Sequence, residues 1–483
     1  MSAPDNFYIT TTLPYVNARP HMGHAVEFVR ADIIARYHAL MGDNVFFNTG
    51  TDEHGLKIYR KAEEEGKDPQ EYVDEQSAHF KRLIADLSMM PDTNFVRTTD
   101  EFHTKAAQKF WERCYENGDI YKETYKTLYC VGCELEKSLS DLEGGRCPEH
   151  PDKELEEIDE ENYFFRFSKY QNALLDLYEN TPDFVVPHFR LKEVKSFVER
   201  GLEDFSISRL KEKQPWGVPV PNDPDHTMYV WFDALVNYIS VIGWPENMDT
   251  FEKWWPVTQY AGKDNLRQQA AMWQAMLLSA GLPPSRRVVI NGFIISGGQK
   301  MSKSLGNVID PYDLMNEFGV DALRYYIARE VQPFEDSDMT LERFKEVYNA
   351  NLANGLGNAA SRLTVMADKY DVEYGPLPEK HEVLNAPELT EAYHQHFTTF
   401  EMNKAADHIW KRIGDIDMTI EQEQPFKKIK TDPDVARKDI ASLIHSLWEV
   451  AVLLEPFMAE TAEKLQTALI DRERAGSLFQ RKE

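Results

Sequence analysis

Hydrophobic and polar positions change period along the first part of the chain, in a way that predicts strands and helices in turn. Residues 7–12, FYITTT, are β-branched or aromatic and predict a strand. After a proline-containing loop, apolar residues recur at three- and four-residue steps over 24–40, which predicts a helix. A second strand is expected at 44–47, NVFF, followed by a polar turn, NTGTDEHG. This order is a βαβ unit and predicts a parallel sheet.

The same alternation returns in the second half of the chain. Residues 257–260, VTQY, predict a strand, residues 265–280 a helix, and residues 286–295, RRVVINGFII, a further strand. An α/β fold of the nucleotide-binding type is therefore expected in two halves, with residues 120–225 inserted between them. Beyond residue 340 only helical periodicity continues, which predicts a C-terminal helix bundle.

Composition narrows the class of protein. The 483 residues, 42% hydrophobic and 28% charged, are typical of a globular protein with about two to four domains. The formal net charge of −27 argues against general coating of nucleic acid, although 54 Lys and Arg leave room for a local basic face. The chain has no apolar run of membrane-spanning length and no secretory leader in MSAPDNFYITTT, so we expect a cytoplasmic protein without membrane contact.

HMGH, residues 21–24, lies where a loop opens a helix directly after a strand. A helix N-terminus carries unsatisfied N–H groups and a positive partial charge, so it can bind phosphate. Gly23 lets a ligand approach the backbone, and His21 and His24 can donate hydrogen bonds to phosphate oxygens. Alone, the motif is equally compatible with two surface histidines or with part of a metal site.

The segment GGQKMSKSLGN, residues 297–307, places Lys300 and Lys303 three positions apart in a loop flanked by glycines. Lysine is a mobile point charge suited to phosphate, although a solvated basic loop is the more usual setting of a KxxK pair. What favours phosphate is the pairing, because the histidine turn and the lysine loop both lie where the ends of parallel strands should meet.

Three cysteines and a histidine form two closely spaced pairs, CVGC and CPEH. They are Cys130, Cys133, Cys147 and His150. Four ligands at this spacing predict one structural zinc ion per chain in a tetrahedral site with every position filled. The alternative is a set of reduced cysteines without metal. Cys114 lies outside the pattern and is expected to be a structural thiol.

Seven separated blocks carry a resemblance to a known family. They are, in chain order, TTTLPYVNARPHMGHA, GTDEHG, YCVGCE, ENYFFRFSKY, MYVWFDALVNY, AGKD and KMSKSLGNVIDP. HMGH and KMSKS resemble the two signatures of the class I aminoacyl-tRNA synthetases, and the whole set resembles the methionyl-tRNA synthetases over nearly the whole chain. The resemblance implies activation of L-methionine with ATP to methionyl-adenylate and pyrophosphate, and then transfer of methionine to the terminal adenosine of tRNA(Met).

The resemblance also implies an organisation of the chain. We expect a Rossmann-like parallel-sheet catalytic domain, split by a zinc-knuckle insertion and followed by an all-α anticodon-binding helix bundle. The expected boundaries are 1–118 and 227–310 for the catalytic halves, 119–226 for the insertion, 311–345 for a linking stem-contact segment and 346–483 for the bundle. Because the chain ends soon after the bundle, at ERAGSLFQRKE, we expect a monomer.

Site residues follow by position from the same resemblance. Those expected to serve catalysis and ATP, which magnesium accompanies, are His21, Gly23, His24, Gly262, Asp264, Lys300 and Lys303. Those expected around methionine, whose sulfur packs well on aromatic rings, are Leu13, Tyr15, Asp52, Trp231, Ala234, Tyr238 and Gln269. Those expected at the anticodon are Asn354, Asn358, Arg362 and Phe426. Ordinary core packing remains an alternative for YVWFDALVNY and for the polar helix face at 354–362.

Several positions depart from the family pattern, mostly in the methionine pocket. Gln268 and Gln269 stand where a Phe-His pair is common, and Asn265 stands where isoleucine is common. Asn291 occupies a frequent histidine position and Thr12 a frequent alanine or cysteine position. Phe426 stands where a tryptophan stacks on an anticodon base, and it can still stack with less area. These changes leave the chemistry intact and put details of the pocket in question.

Two rival functions have to be compared with the sequence. One is a class I synthetase for another amino acid, and the other is a tRNA-binding relative without catalytic activity. A class I synthetase for valine, leucine or isoleucine would carry a large editing insertion, for which 483 residues leave no room. A cysteine enzyme would hold its zinc in the active site rather than in the insertion. A catalytically silent tRNA-binding relative is opposed by the intact HMGH, Asp52 and Lys303, whereas Gln268 and Gln269 keep it open.

Overall fold

A computed structural model describes residues 5–133, 135–137, 141–300 and 309–483. The strands of these ranges are β1 (Asn6–Thr11), β2 (Asn44–Thr51), β3 (Asn94–Arg97), β4 (Ile120–Cys130), β5 (Leu135–Lys137), β6 (Glu156–Phe165), β7 (Val185–Val186), β8 (Phe205–Ser206), β9 (Ser208–Leu210), β10 (His226–Met228), β11 (Thr258–Gly262), β12 (Arg287–Asn291), β13 (Ile294–Ser296), β14 (Gln299–Lys300) and β15 (Ser337–Asp338).

The α-helices are α1 (Met22–Leu40), α2 (Leu56–Glu64), α3 (Pro69–Asp86), α4 (Glu101–Glu116), α5 (Gln171–Asn180), α6 (His188–Glu199), α7 (Val230–Ala234), α8 (Asn237–Ser240), α9 (Met248–Trp254), α10 (Trp273–Ser279), α11 (Pro311–Phe318), α12 (Val320–Tyr325), α13 (Leu341–Val347), α14 (Asn358–Lys369), α15 (Lys380–Leu384), α16 (Pro387–Thr398), α17 (Met402–Glu423), α18 (Pro425–Lys428), α19 (Pro433–Leu453) and α20 (Ala459–Asp471). The 3-10 helices are Phe167–Tyr170 and Lys263–Asn265, and the π-helices are Gln268–Met272, Tyr326–Glu330 and Tyr348–Gly357.

The main sheet confirms the predicted parallel α/β architecture. Its six strands run in the order β3-β2-β1-β11-β12-β7, and every neighbouring pair is parallel. The chain passes from β1 outward to β2 and β3 on one side, and from β11 outward to β12 on the other. The strand order therefore reverses between β1 and β11. In open parallel sheets, ligands bind beyond the carboxyl ends of the strands at such a switch point.

Strand β2 is longer than the sequence predicts. It continues through NTGT, which we expected to form part of a polar turn. These four residues pair with β3 in parallel register and are buried. Buried polar strands lack the apolar alternation from which a strand is recognised, and that is why the prediction ended too early.

The expected strand at 286–295 is two strands with a break between them. β12 ends at Asn291, and β13 begins at Ile294. A Cβ on the intervening Gly292 would lie 2.2 Å from the backbone of Glu335, so the break needs glycine. The expected helix at 265–280 is likewise composite, since the π-helix Gln268–Met272 comes before α10.

The insertion and the C-terminal region have separate architectures. Strands β5, β4, β6 and β8 of the insertion form a four-stranded antiparallel sheet, while β7 joins the edge of the main sheet. From α13 onward the regular elements in the described residues are helical, which confirms the predicted bundle. No helix in the described ranges is long and apolar enough to cross a membrane.

Helix α1 joins the parallel sheet to the bundle. Tyr37 near its C-terminal end stacks on Phe397 of α16, with ring centroids 3.9 Å apart, and its hydroxyl bonds to His394 Nδ1 at 2.9 Å. One continuous hydrophobic core therefore includes α1, β1 and the helices of the bundle. The same helix begins at HMGH, so a single rigid element connects the candidate site with the C-terminal region.

Candidate active site and metal centre

Three loops meet at the carboxyl edge of the main sheet. The loop after β1 is bonded to its neighbours on both sides. The Thr12 N–H donates to the Tyr260 carbonyl of β11 at 3.2 Å, and the Val16 N–H donates to the Asp52 carbonyl at 3.1 Å. The Asp52 N–H returns a bond of 2.9 Å to the Pro14 carbonyl. The loops that carry HMGH, GTDEHG and AGKD thus converge at the switch point.

The two histidines of HMGH cap helix α1. His21 is the N-cap, and its Nδ1 accepts a hydrogen bond from the Gly23 N–H at 3.1 Å. His24 Nδ1 accepts from the His21 N–H at 3.2 Å, and the two rings stack with centroids 3.9 Å apart. An accepting Nδ1 in a neutral imidazole leaves the hydrogen on Nε2. Both rings therefore carry their hydrogen on Nε2.

His24 is neutral at physiological pH. Burial of its ring, together with the neighbouring His21, lowers the pKa of His24 well below its usual range. Phe80 packs edge-on against the ring at 5.1 Å. Gly23 is required beside it, because a Cβ there would lie 2.9 Å from His21 Cε1. The site therefore presents hydrogen-bond donors from HMGH without a cationic His24.

Glu27 belongs to the site, although sequence analysis missed it. It follows His24 by three residues on α1, and its carboxylate accepts a bond of 2.8 Å from the Thr12 N–H and a second bond from the Thr12 hydroxyl. Burial raises the pKa of Glu27 to about 8, against the hydrogen bonds from Thr12, and the charge of Asp264 acts in the same direction as burial. The three-residue helical spacing from His24 was the available signal.

The charged side chains of the AGKD segment, Lys263 and Asp264, have different surroundings. Asp264 is exposed beside Gly262, where a Cβ would lie 2.8 Å from Asp264 Oδ1. Lys263 is directed to Asp336 instead, with Nζ 2.7 Å from its Oδ2. The Phe293 N–H donates to the same carboxylate at 3.0 Å. Lys263 therefore holds the loop in place, while the exposed Asp264 accepts a hydrogen bond of 3.3 Å from Asn265 Nδ2.

The lysine loop is described only at its start. Strands β13 and β14 form a hairpin in which Lys300 pairs with Ile295, and of Lys300 the structure describes the backbone alone. Gly297 and Gly298 turn the hairpin with φ of 62° and 73°, which favours glycine at both positions. Lys303 lies outside the described residues.

The candidate methionine residues come from five parts of the chain, one of which is Asp52 directly after β2. Leu13 and Tyr15 lie in the loop after β1, Trp231 and Ala234 on α7, Tyr238 on α8 and Gln269 in the π-helix. Tyr15 and Asp52 form an isolated parallel bridge, and Asp52 is 8% exposed. His54 Nδ1 lies 3.1 Å from the buried Asp233 Oδ2 on α7. This contact ties the GTDEHG loop to the helix that carries Trp231.

The predicted metal ligands converge in the insertion. One ligand atom from each of Cys130, Cys133, Cys147 and His150 lies within 4.8 Å of the others. Cys133 Sγ is 3.4 Å from Cys147 Sγ, which is far beyond a disulfide bond, and 3.2 Å from His150 Nδ1. A Cβ on Gly132 would lie 2.5 Å from the His150 ring, so glycine makes room for that ligand. Three thiols and an imidazole suit zinc.

Three of the four candidate anticodon residues lie on two consecutive helices, and Phe426 lies apart from them on α18. Asn354 is on the π-helix Tyr348–Gly357 and is exposed, and Asn358 begins α14 and is exposed as well. Arg362 on α14 bonds to Glu421 of α17, with Nη2 2.9 Å from Oε1. Phe426 on α18 is half-buried and packs against the main core. The side-chain amides of Asn354 and Asn358 are exposed to solvent, whereas the guanidinium of Arg362 is paired with the Glu421 carboxylate.

Comparison with known proteins finds one matching family model and similar proteins that share one name. Residues 7–159 and 151–364 match the family model of the class I tRNA synthetases of the (M) type. A methionine–tRNA ligase of Thermotoga maritima is 42% identical over 472 residues, covering 95% of this chain and 74% of the relative. A methionine–tRNA ligase of Nostoc sp. (strain PCC 7120) is 49% identical over 378 residues, covering 77% of this chain and 71% of the relative.

Solved structures agree in fold over the same extent. Mycobacterium tuberculosis methionyl-tRNA synthetase in complex with methionyl-adenylate superimposes with a TM-score of 0.89 at 37% identity, covering 95% of this chain and 93% of that one. The apo form from the same organism superimposes with a TM-score of 0.82 at 34% identity, covering 96% and 91%. The likeness therefore includes the catalytic sheet, the insertion and the helix bundle together.

Proposed function

The chain belongs to the methionyl-tRNA synthetases, which are class I aminoacyl-tRNA synthetases, and we propose from that membership how its residues divide the reaction between them. The enzyme is a methionine–tRNA ligase, which forms methionyl-adenylate from methionine and ATP and then transfers methionine to tRNA. The observation that best supports the location of the site is the convergence of HMGH, GTDEHG and AGKD at the switch point of the sheet.

The adenylation step needs positioning and charge stabilisation rather than a general base. The carboxylate of methionine is already ionised at neutral pH and attacks the α-phosphate of ATP, which releases pyrophosphate. Donors placed where charge develops lower the barrier. We assign that role to the Nε2–H groups of His21 and His24, with Lys300 and Lys303 acting on the phosphates from the lysine loop. ATP enters as its magnesium complex.

The ribose of ATP is assigned to two carboxyl groups at the switch point. Asp264 is exposed beside Gly262, and a carboxylate can accept hydrogen bonds from ribose hydroxyls. Glu27 is close enough for its pKa to respond to the charge of Asp264. Because Glu27 is mainly protonated below pH 8, it can donate as well as accept, and it adds no second negative charge beside Asp264.

The affinity for ATP should therefore fall as Glu27 ionises. We expect the KM for ATP to rise about tenfold between pH 7 and pH 9, since only the protonated fraction of Glu27 binds productively. Glu27→Gln keeps a neutral group of the same shape, so its KM should change much less over this range. Initial rates of ATP–pyrophosphate exchange at varied ATP concentration measure both. An equal rise in the two proteins would remove Glu27 from the ATP site.

The methionine pocket combines a charge partner with aromatic walls. Asp52 is assigned to the α-ammonium group, because a largely buried carboxylate favours an opposite charge. Tyr15, Trp231 and Tyr238, with Leu13 and Ala234 as smaller neighbours, are assigned to the thioether side chain, which packs well on aromatic rings. Gln269 is assigned to the same pocket, and its Oε1 accepts a hydrogen bond of 2.6 Å from Gln259 Nε2.

The insertion is proposed to hold one structural zinc ion. The purified protein should contain about one zinc per chain, and Cys147→Ser should lose most of it to a chelator, because one of four ligands is removed. Metal analysis after dialysis against EDTA measures this. Cys114→Ser is the matched control, since Cys114 is buried outside the ligand set and should keep its zinc. Equal zinc retention in both variants would contradict the assignment.

The bundle is proposed to read the anticodon of tRNA(Met) through Asn354, Asn358, Arg362 and Phe426. Amide and guanidinium groups recognise splayed bases, and an aromatic ring stacks on them. Arg362→Ala should raise the KM for tRNA by about tenfold, the effect of losing one charge-assisted hydrogen bond, without changing pyrophosphate exchange. Arg472→Ala, which breaks another surface ion pair, is the control. A change in exchange would point to a folding defect instead.

Methionine-dependent ATP–pyrophosphate exchange on the purified protein tests the adenylation site directly. We expect exchange with methionine and none with valine, leucine, isoleucine or cysteine. Charging of tRNA(Met) then tests the second step. Absence of exchange with every amino acid, from folded and zinc-replete protein, would favour a silent tRNA-binding relative. A monomer working in the cytoplasm, where tRNA is charged, completes the proposal.

A further inference from the structure

The two proposed phosphate-binding segments belong to different sheets. HMGH follows β1 of the six-stranded main sheet, whereas the lysine loop follows β13, which lies with β14 and β15 in a separate three-stranded sheet. Hydrogen bonds within the main sheet therefore do not by themselves fix the distance between the two segments. Contacts from α1 to the chain around β15 bridge this gap.

Arg30 makes the first of these contacts. It lies on α1, six residues after His24, and its side chain is fully buried. Its Nη2 donates to the carbonyls of Val331 at 2.7 Å and Gln332 at 2.9 Å. Its Nη1 donates to the Pro333 carbonyl at 3.2 Å. Because a guanidinium presents its donors in a rigid fork, three successive carbonyls are fixed relative to α1.

The partners of Arg30 indicate positioning rather than charge pairing. In the described ranges it forms no ion pair with a carboxylate, and its three acceptors directly follow the π-helix Tyr326–Glu330. Carbonyls at the end of a helix carry a partial negative charge that favours a cation. An apolar side chain would fill a buried position without the cost of desolvating a charge. What the arginine adds is a fixed connection between two elements.

The segment bonded to α1 continues directly into the small sheet. The Gln332 N–H donates to Ser337 Oγ at 2.8 Å, which closes the turn before β15. Strand β15 then pairs in parallel with β13. The Ser337 N–H donates to the Phe293 carbonyl at 2.9 Å, and the Met339 N–H donates to the Ile295 carbonyl at 2.9 Å. The strand that leads into the lysine loop is thereby tied to α1.

Asp338 on β15 extends the connection to the turn of the lysine hairpin. Its Oδ1 accepts a hydrogen bond of 2.8 Å from the Gly297 N–H. Gly297 begins the turn between β13 and β14, and Ile295 of the same hairpin pairs with the backbone of Lys300. A continuous path therefore leads from the helix that begins at HMGH, through residues 331–339, to the start of the lysine loop.

We propose that Arg30 and Asp338 are positioning residues for ATP, which fix the base of the lysine loop relative to HMGH so that both segments contact one triphosphate. This inference rests on the proposed function. Displacing a reacting group by about 1 Å can cost up to about 10²-fold in rate, so a fixed base matters to the loop. Methionine and the adenylate carry no β- and γ-phosphates, and their binding should not depend on this path.

Arg30→Met and Asp338→Ala test the proposal, because each breaks the path at one point. In pyrophosphate exchange we expect the KM for ATP to rise roughly tenfold in each variant, since the triphosphate loses correctly placed partners. The KM for methionine should stay within about twofold, as should the Kd of methionyl-sulfamoyl adenosine, an adenylate analogue without β- and γ-phosphates. The double variant should be little worse than either single variant, because both substitutions break one path.

Conservative variants distinguish the hydrogen bonds from the charges. Asp338→Asn keeps an oxygen that can accept from the Gly297 N–H, and Arg30→Lys keeps a donor to the carbonyls, so both should recover most of the affinity for ATP. Arg329→Met is the matched control. Arg329 lies in the same π-helix, but its Nε is 2.7 Å from Asp407 Oδ1 of α17, so this variant should keep the wild-type KM for ATP.

The outcomes separate the proposal from a folding defect and from the proposed function. Because Asp338 is exposed, Asp338→Ala tests the path even where thermal unfolding shows that Arg30→Met is destabilised. An unchanged KM for ATP in Asp338→Ala, an equal loss of analogue binding, additive losses in the double variant or no recovery in Asp338→Asn would each overturn the proposal. Absence of both methionine exchange and analogue binding in the wild type would instead overturn the proposed function.

Discussion

Replacing His24 with alanine should lower the kcat of methionine-dependent pyrophosphate exchange by about 10²–10³-fold, the usual cost of one preorganised donor to a transition state. The donor is the Nε2–H group, because Nδ1 is occupied by the His21 N–H at 3.2 Å. The pKa of His24, lowered well below its usual range by burial and by His21, keeps the ring neutral near pH 7. The rate should therefore show no titration of His24 between pH 6 and pH 8.

Two further substitutions at His24 distinguish loss of the hydrogen-bond donor from loss of the volume of the imidazole ring. A glutamine nitrogen can reach the position of Nε2, whereas an asparagine nitrogen reaches that of Nδ1. His24→Gln should therefore keep more activity than His24→Asn, although both lose the stacking on His21. The KM for methionine should stay close to the wild-type value in all three variants. Greater activity in His24→Asn than in His24→Gln would contradict the assignment of the catalytic donor to Nε2 and would favour Nδ1.

Replacing Arg324 with methionine should destabilise the protein by about 3–5 kcal/mol, the typical cost of breaking a buried ion pair. Arg324 Nη2 lies 2.7 Å from Asp32 Oδ2, and both side chains are at most 1% exposed. The guanidinium also donates to the carbonyls of Leu87 at 3.2 Å and of Phe457 at 3.0 Å. These bonds join α1, the segment after α3 and the segment before α20. Urea unfolding followed by circular dichroism measures the loss.

An exposed pair provides the contrast. Arg472 and Glu373 are 46% and 81% exposed, so Arg472→Met should leave the urea midpoint close to the wild-type value. The double variant with Asp32→Leu and Arg324→Met should recover part of the stability, because the buried carboxylate is removed together with its buried partner, and only the 19% exposed Arg36 then loses a charge partner. Equal midpoints for Arg324→Met and Arg472→Met would show that the buried pair does not hold the bundle to the catalytic domain.

Short motifs and the secondary structure around them could be predicted from consecutive residues of the sequence. HMGH could be placed at a helix start after a strand, because strand, loop and helix follow one another within a few residues. The spacing of Cys130, Cys133, Cys147 and His150 named a complete ligand set before any geometry was known, and these ligand atoms do converge. Parallel strands put their carboxyl ends on one edge, so the order of elements also predicted that the histidine turn and the lysine loop share that edge, although Lys303 lies outside the described residues.

Which polar side chains are buried could be learned only from the tertiary structure. The NTGT end of β2, Glu27 and the buried glutamines Gln259, Gln269 and Gln274 resemble exposed residues in the sequence, because hydropathy does not distinguish a solvated polar group from a buried one with partners. Gln259 contacts Gln269 and Gln274 only because β11 lies beside the π-helix and α10. A sequence could mark Gln269 as a departure, but it could not supply the donors that orient it.

Contacts between distant parts of the chain could not be predicted from the sequence either. Asp32 and Arg324 are 292 residues apart in sequence and 2.7 Å apart in space. What the sequence by itself determined is the chemistry available at each strand end and the order in which the elements occur. What the tertiary structure decided is which distant groups share a buried volume, because that depends on the path of the whole chain and on each buried polar atom finding a partner.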